Sequence, residues 1–73
     1  MSKKRLIVKV KPECEDLANQ TFPRGTEWEF LDEEYKDDGS GTITYEWNGD
    51  MQSAIEQNLN TNNQVTSYKI KKA

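Results

Sequence analysis

TEWEFLDEEYKDDGSGTITYEWN, residues 26 to 48, decides the fold. Two β-prone runs, TEWEFLDEEYK (26 to 36) and GTITYEWN (41 to 48), flank Asp37, Asp38, Gly39 and Ser40. Asp and Gly supply the turn chemistry that closes a hairpin. A turn of two or four residues centred on Asp38 and Gly39 pairs Phe30 with Trp47 and Asp32 with Tyr45. That register puts Trp28, Phe30, Ile43, Tyr45 and Trp47 on one face and leaves Glu27, Glu29, Glu33 and Glu46 on the other. A turn one residue longer pairs Leu31 with Trp47 and Tyr35 with Ile43, and exposes Trp28 and Phe30 unless a bulge intervenes. The first register buries both Trp, so it is the expected one. Leu31 and Tyr35 then stay outside as apolar anchors within an acidic field.

On the N-terminal side, KKRLIVKVK (3 to 11) alternates from Leu6 onward and reads as a half-buried strand that Pro12 ends. Residues 13 to 20 are compatible with a short helical turn around Leu17 and Ala18. On the C-terminal side, Met51, Ala54, Ile55, Asn58 and Leu59 follow helical spacing after Asp50, the expected N-cap. QVTSYKIKK (64 to 72) returns to strand character through Val65, Tyr68 and Ile70. The whole chain, 1–73, is thus expected to be a single small α+β domain. Its expected order is β-β-β-α-β, a mostly antiparallel four-stranded sheet with one helix on one face. Its core should contain Trp28, Phe30, Tyr45, Trp47, Leu6, Val8, Ile55, Leu59 and Ile70.

Composition narrows the chemistry. The 73 residues include no histidine and a single cysteine, Cys14, so an internal disulfide, a thiolate zinc site and most catalytic constellations lose their usual groups. Cys14 lies between Glu13 and Glu15, a field that disfavours a reactive thiolate. Asp37 to Gly41 has carboxylates, glycine and a hydroxyl but lacks the twelve-residue calcium-loop spacing, so turn chemistry explains it. Asp32 and Glu34, two strand positions apart with no cleft, make a poor acid and base pair. The expectation is a protein that is not an enzyme and needs no cofactor or metal. No apolar run is long enough for a membrane span, which leads us to expect a cytoplasmic protein.

Charge is segregated along the chain. All 13 carboxylates fall between residues 13 and 56, where only Arg24 and Lys36 oppose them. The first twelve residues carry Lys3, Lys4, Arg5, Lys9 and Lys11, and the last seventeen carry Lys69, Lys71 and Lys72, with no acid in either. Blocks of this kind steer association with charged partners. Alternate strand residues are roughly 6.6 Å apart, of the order of the spacing between successive phosphates of a DNA strand. Glu27, Glu29, Glu33 and Glu46 with the turn acids Asp37 and Asp38 are therefore candidates for phosphate mimicry, anchored by Leu31 and Tyr35. The plainer alternative is that these acids keep a small sheet soluble and block its edge. If the terminal strands are neighbours, Lys3, Lys4, Arg5, Lys9, Lys11, Lys69, Lys71 and Lys72 could instead form a nucleic-acid patch, with Tyr68 stacking a base. First and last strands left exposed would also allow a homodimer about a two-fold axis.

In length, acidity, absence of His, single Cys, minimal sheet and clustered carboxylates, the chain resembles the small host-takeover and DNA-mimic proteins of bacteriophages. That resemblance is one of general character, without diagnostic residues. It implies an inhibitor acting in the host cytoplasm on a basic DNA-binding protein such as a nucleoid-associated protein, a nuclease, a polymerase or a CRISPR effector.

Overall fold

The computed structural model describes residues 3–73. They run β1 (Lys4–Val10), α1 (Leu17–Thr21), β2 (Trp28–Tyr35), β3 (Gly41–Trp47), α2 (Gln52–Thr61) and β4 (Val65–Lys72). The strands form one sheet in the order β2-β3-β1-β4 with every neighbouring pair antiparallel. Both helices contribute to a core on one side, so the class is α+β as expected, with the short turn at Leu17 closing into a five-residue helix of its own. This element order and strand order is the split β-α-β connectivity of ferredoxin-like folds. β1 lies inside the sheet between β3 and β4, which suits its near-continuous Leu6-Ile7-Val8 run. The first strand is consequently not free to pair with another copy, and only β2 and β4 are edges.

The helix side of the sheet holds Leu6, Val8 and Val10 from β1 and Ile43, Tyr45 and Trp47 from β3, all buried. Leu17 and Phe22 cover them from the α1 region and Ile55 and Leu59 from α2, while Ile70 packs at the margin. Trp28 and Phe30, expected in the core, are instead 39% and 52% exposed. They point to the correct side, but they stand on the edge strand, and α2 packs over β4 and α1 rather than over β2. Phe22 takes the place the sequence reading assigned to them. It stacks on Trp28 at 5.6 Å between ring centroids and meets Tyr45 edge-on at 5.4 Å.

The hairpin register differs from both readings of the sequence. The Lys36 N–H donates to the Ser40 carbonyl at 2.8 Å and the Gly39 N–H to the Lys36 carbonyl at 2.9 Å. Gly39 has φ +92°, so the loop is the three-residue type, a turn followed by a left-handed glycine. Tyr35 therefore faces Gly41 and Glu33 faces Ile43. Beyond a bulge at Leu31 the pairs become Phe30 with Tyr45, Glu29 with Glu46 and Trp28 with Trp47. The odd loop moves the phase by one residue and the bulge moves it back. Trp28 and Phe30 thereby return to the helix side, whereas Glu33, inside the shifted interval, leaves the solvated face that the sequence assigned to it.

Gly41 is buried beneath the Tyr35 ring, and a Cβ there would lie 2.5 Å from Tyr35 Cδ1. At the other end of β3, Asp50 does not cap α2. Met51 enters the helix in left-handed conformation with φ 60°, and no side chain caps the first turn. The Asp50 carbonyl instead accepts the Trp47 Nε1–H at 2.9 Å, tying the helix start to the core tryptophan.

Tyr45 links the core to pH. Burial, reinforced by the phenol of Tyr35, Cys14 and Glu33, pushes its phenol up to about 12. An unfolded Tyr ionises near 10. Above that pH the unfolded state releases a proton that the folded state retains, so stability is steady below about pH 10 and falls between about 10 and 12. Urea midpoints measured across that window should fall less for Tyr45→Phe than for the wild type.

Candidate interaction surface

The face of the sheet away from the helices is open, and its side chains form cross-strand rows. One row reads Glu29, Glu46, Arg5, Lys71; another Asp32, Thr44, Ile7, Lys69; a third Glu34, Thr42, Lys9, Ser67. Each row begins acidic or polar at β2, and the basic residues gather on β1 and β4. Opposite charges thus occupy opposite edges of one surface, and β3 keeps them apart. Among the described residues they meet only at Glu46, whose carboxylate lies 3.7 Å from Lys3 Nζ and 3.4 Å from Arg5 Nη2. Glu46, 18% exposed at its side chain, is therefore held within the sheet and does not extend the acidic surface.

All eight residues of β2 are exposed. Along this edge and its two ends lie Glu27, Glu29, Asp32, Glu33, Glu34, Asp37 and Asp38, seven carboxylates within residues 27 to 38. None of them makes an ion pair among the described residues. Asp32 and Glu34 were not singled out as interaction residues from the sequence; the three-residue loop brings both onto the open face beside Glu29. Glu33 lies on the helix side, where its Oε2 accepts the Tyr35 hydroxyl at 2.9 Å and holds that phenol above its usual value. Asp38 is engaged by its own turn: the Ser40 N–H and Oγ–H both donate to Oδ1, at 2.9 and 2.6 Å, and keep the carboxyl below its usual range.

Apolar side chains interrupt the acids. Leu31, the bulged residue, is 41% exposed and Tyr35 is 57% exposed. Trp28, Phe30 and Met51 add further exposed apolar surface on the helix side of the same edge. Exposed aromatic and aliphatic side chains thus lie among carboxylates along one edge.

No protein-family model matches the chain, and no curated protein matches it. The surface has to be read from its own geometry.

The basic candidates divide as the acidic ones do. Arg5, Lys9, Lys69 and Lys71 share the open face because β1 and β4 are neighbours. Lys4 and Lys72 pair on the helix side, where the Lys4 ammonium donates to Gln52 Oε1 at the start of α2. Lys11, just past β1, donates its N–H to the Gln64 carbonyl, and Lys3 is engaged with Glu46. Tyr68 pairs with Val8 on the helix side, packs against the core and donates toward Glu56 Oε1 at 3.4 Å, so it cannot stack a base on the open face as the sequence suggested. The inner strands β1 and β3 offer that face Arg5, Ile7, Lys9, Thr42, Thr44 and Glu46, without an aromatic platform. Burial pushes the Cys14 thiol up. No cluster of three or more His, Cys, Asp or Glu among the described residues is arranged to hold a metal ion, and no helix is long and apolar enough to cross a membrane.

Proposed function

We propose that this chain is a non-enzymatic inhibitor that occupies the nucleic-acid-binding surface of a basic partner protein. The observation that supports this reading is the free β2 edge, where unpaired carboxylates alternate with exposed Trp28, Phe30, Leu31 and Tyr35. Carboxylates spaced along a strand present a potential like that of a phosphate backbone, draw in a basic surface, and leave the apolar residues to hold it once water is excluded. The general likeness to phage DNA-mimic proteins, with a nucleoid-associated protein, nuclease or polymerase as target, agrees with this mode of action. Glu27, Glu29 and Asp37 carry the charge of this edge, joined by Asp32 and Glu34, while Glu33 is turned to the helix side and engaged by Tyr35 and Asp38 is engaged by Ser40.

A second reading is favoured by the gathering of Arg5, Lys9, Lys69 and Lys71 on the open face: direct binding of nucleic acid through backbone phosphates. An electrophoretic shift assay separates the two. On the first reading the chain alone shifts neither DNA nor RNA at about 50 mM salt, and it releases DNA from a basic DNA-binding protein. A shift of bare nucleic acid that disappears by about 200 mM salt would establish the second and remove the first.

A further inference from the structure

We propose that copies of this chain associate head to tail, the β2 edge of one pairing with the β4 edge of the next to continue the sheet. Both edges are eight residues long and have no strand beside them. Strand direction permits the join. β2 runs with β1 and β4 runs against it, so a second copy in the same orientation brings its β4 antiparallel to β2. The helices of both copies then lie on one side.

The two sides of the joined strands are complementary. Continuing the cross-strand rows into the next copy, on the open side Glu29 meets Lys71 and Asp32 meets Lys69, with Glu34 diagonal to Lys69; on the helix side Phe30 meets the half-buried Ile70 and Trp28 the stem of Lys72. Oppositely charged and aromatic-aliphatic cross-strand pairs are the ones that stabilise a ladder, whereas like charges directly opposite oppose it. Pairing β2 with β2 would set carboxylate against carboxylate, and pairing β4 with β4 would set lysine against lysine. Charge therefore selects the unlike edges and rejects both two-fold dimers. The contact is heterologous, so it propagates into a ring or an open row. It also covers the edge assigned above to a basic partner, which makes assembly and partner binding compete.

Sedimentation of the full chain tests this. At about 20 mM salt the average mass should rise with concentration, and at about 500 mM it should return to the monomer. Reversing one edge, by E29K/E34K or by K69E/K71E, should weaken association at least about tenfold, because attraction becomes repulsion. Reversing both edges in one chain should restore it, as should mixing the two singly reversed variants, a route that does not require the fourfold variant to fold. A chain that stays monomeric at low salt and millimolar concentration overturns the proposal. So does association that survives either single-edge reversal, since an interface between like edges would leave one of the two variants unaffected.

Discussion

Trp47→Ala is expected to lower the unfolding free energy by about 3–5 kcal/mol, from the lost transfer term together with the cavity left behind. Trp47 is 1% exposed and is the largest fully buried side chain. It stands under Phe22 at 6.0 Å, and its indole N–H satisfies the Asp50 carbonyl. The variant loses the packing and also releases the junction between β3 and α2. Domains of this length bury a modest share of their surface and hold only several kcal/mol in reserve, so the loss takes most of what there is. A guanidinium titration should show the midpoint collapse, and the thermal midpoint should fall by roughly 15 °C or more. Trp28→Ala is the internal contrast. Its ring is partly in solvent and packs only against Phe22 and Tyr45 among the aromatic rings, so about 1–2 kcal/mol is expected. Equal losses at the two positions would mean that β2 is not the edge.

The second large effect concerns the acidic edge. Glu29→Lys with Glu34→Lys places two ammonium groups on the open face where a basic partner would approach. Each lost attraction becomes a repulsion, so binding to that partner should weaken by on the order of several kcal/mol at low salt. Both side chains are exposed and neither makes an ion pair, so circular dichroism and the denaturation midpoint should stay close to wild type. Glu46→Lys should do the reverse. It breaks the contacts with Lys3 and Arg5 and lowers stability while leaving the β2 edge intact. Calorimetric titration against the partner, read beside the stability data, separates recognition from folding. Unchanged affinity for the double reversal would reduce the edge acids to solubilising groups.

Local chemistry made most of the elements legible. The alternation from Leu6 to Val10, the Asp-Gly turn and the helical spacing of Ile55 and Leu59 each specify an element from its own residues. The arrangement of those elements is a different matter. Which strand lies at the edge depends on where the chain crosses over, and nothing within TEWEFLDEEYK records that β1 would be inserted between β3 and β4. Trp28 and Phe30 accordingly face the right way and still reach solvent. The register was illegible for a related reason. Gly39 permits a left-handed third loop residue without requiring it, and Leu31 has no sequence mark that distinguishes a bulged leucine from a paired one. Those two positions relocate Glu33 and bring Asp32 and Glu34 onto the acidic face. Phe22, beside Pro23 and Arg24, has a loop signature, yet it is a core residue because the end of α1 delivers it onto the sheet.

The bulge at Leu31 bears on how this hairpin can change over generations. The pairs on its two sides, Phe30 with Tyr45 and Asp32 with Thr44, are those of an uninterrupted ladder from which Leu31 has simply been left out. In-frame loss of that one codon would preserve every partner in the hairpin and every face assignment. Loss of Phe30 or Asp32 would likewise let Leu31 fill the vacated position, whereas loss of a codon farther along the strand would turn the residues between it and the bulge inside out. The chain is therefore free to vary in length only around Leu31. Removing it would straighten the edge and take away the local bend and added twist that a bulge imposes. The same position therefore sets how closely this edge can fit an added strand, the β4 edge of another copy included.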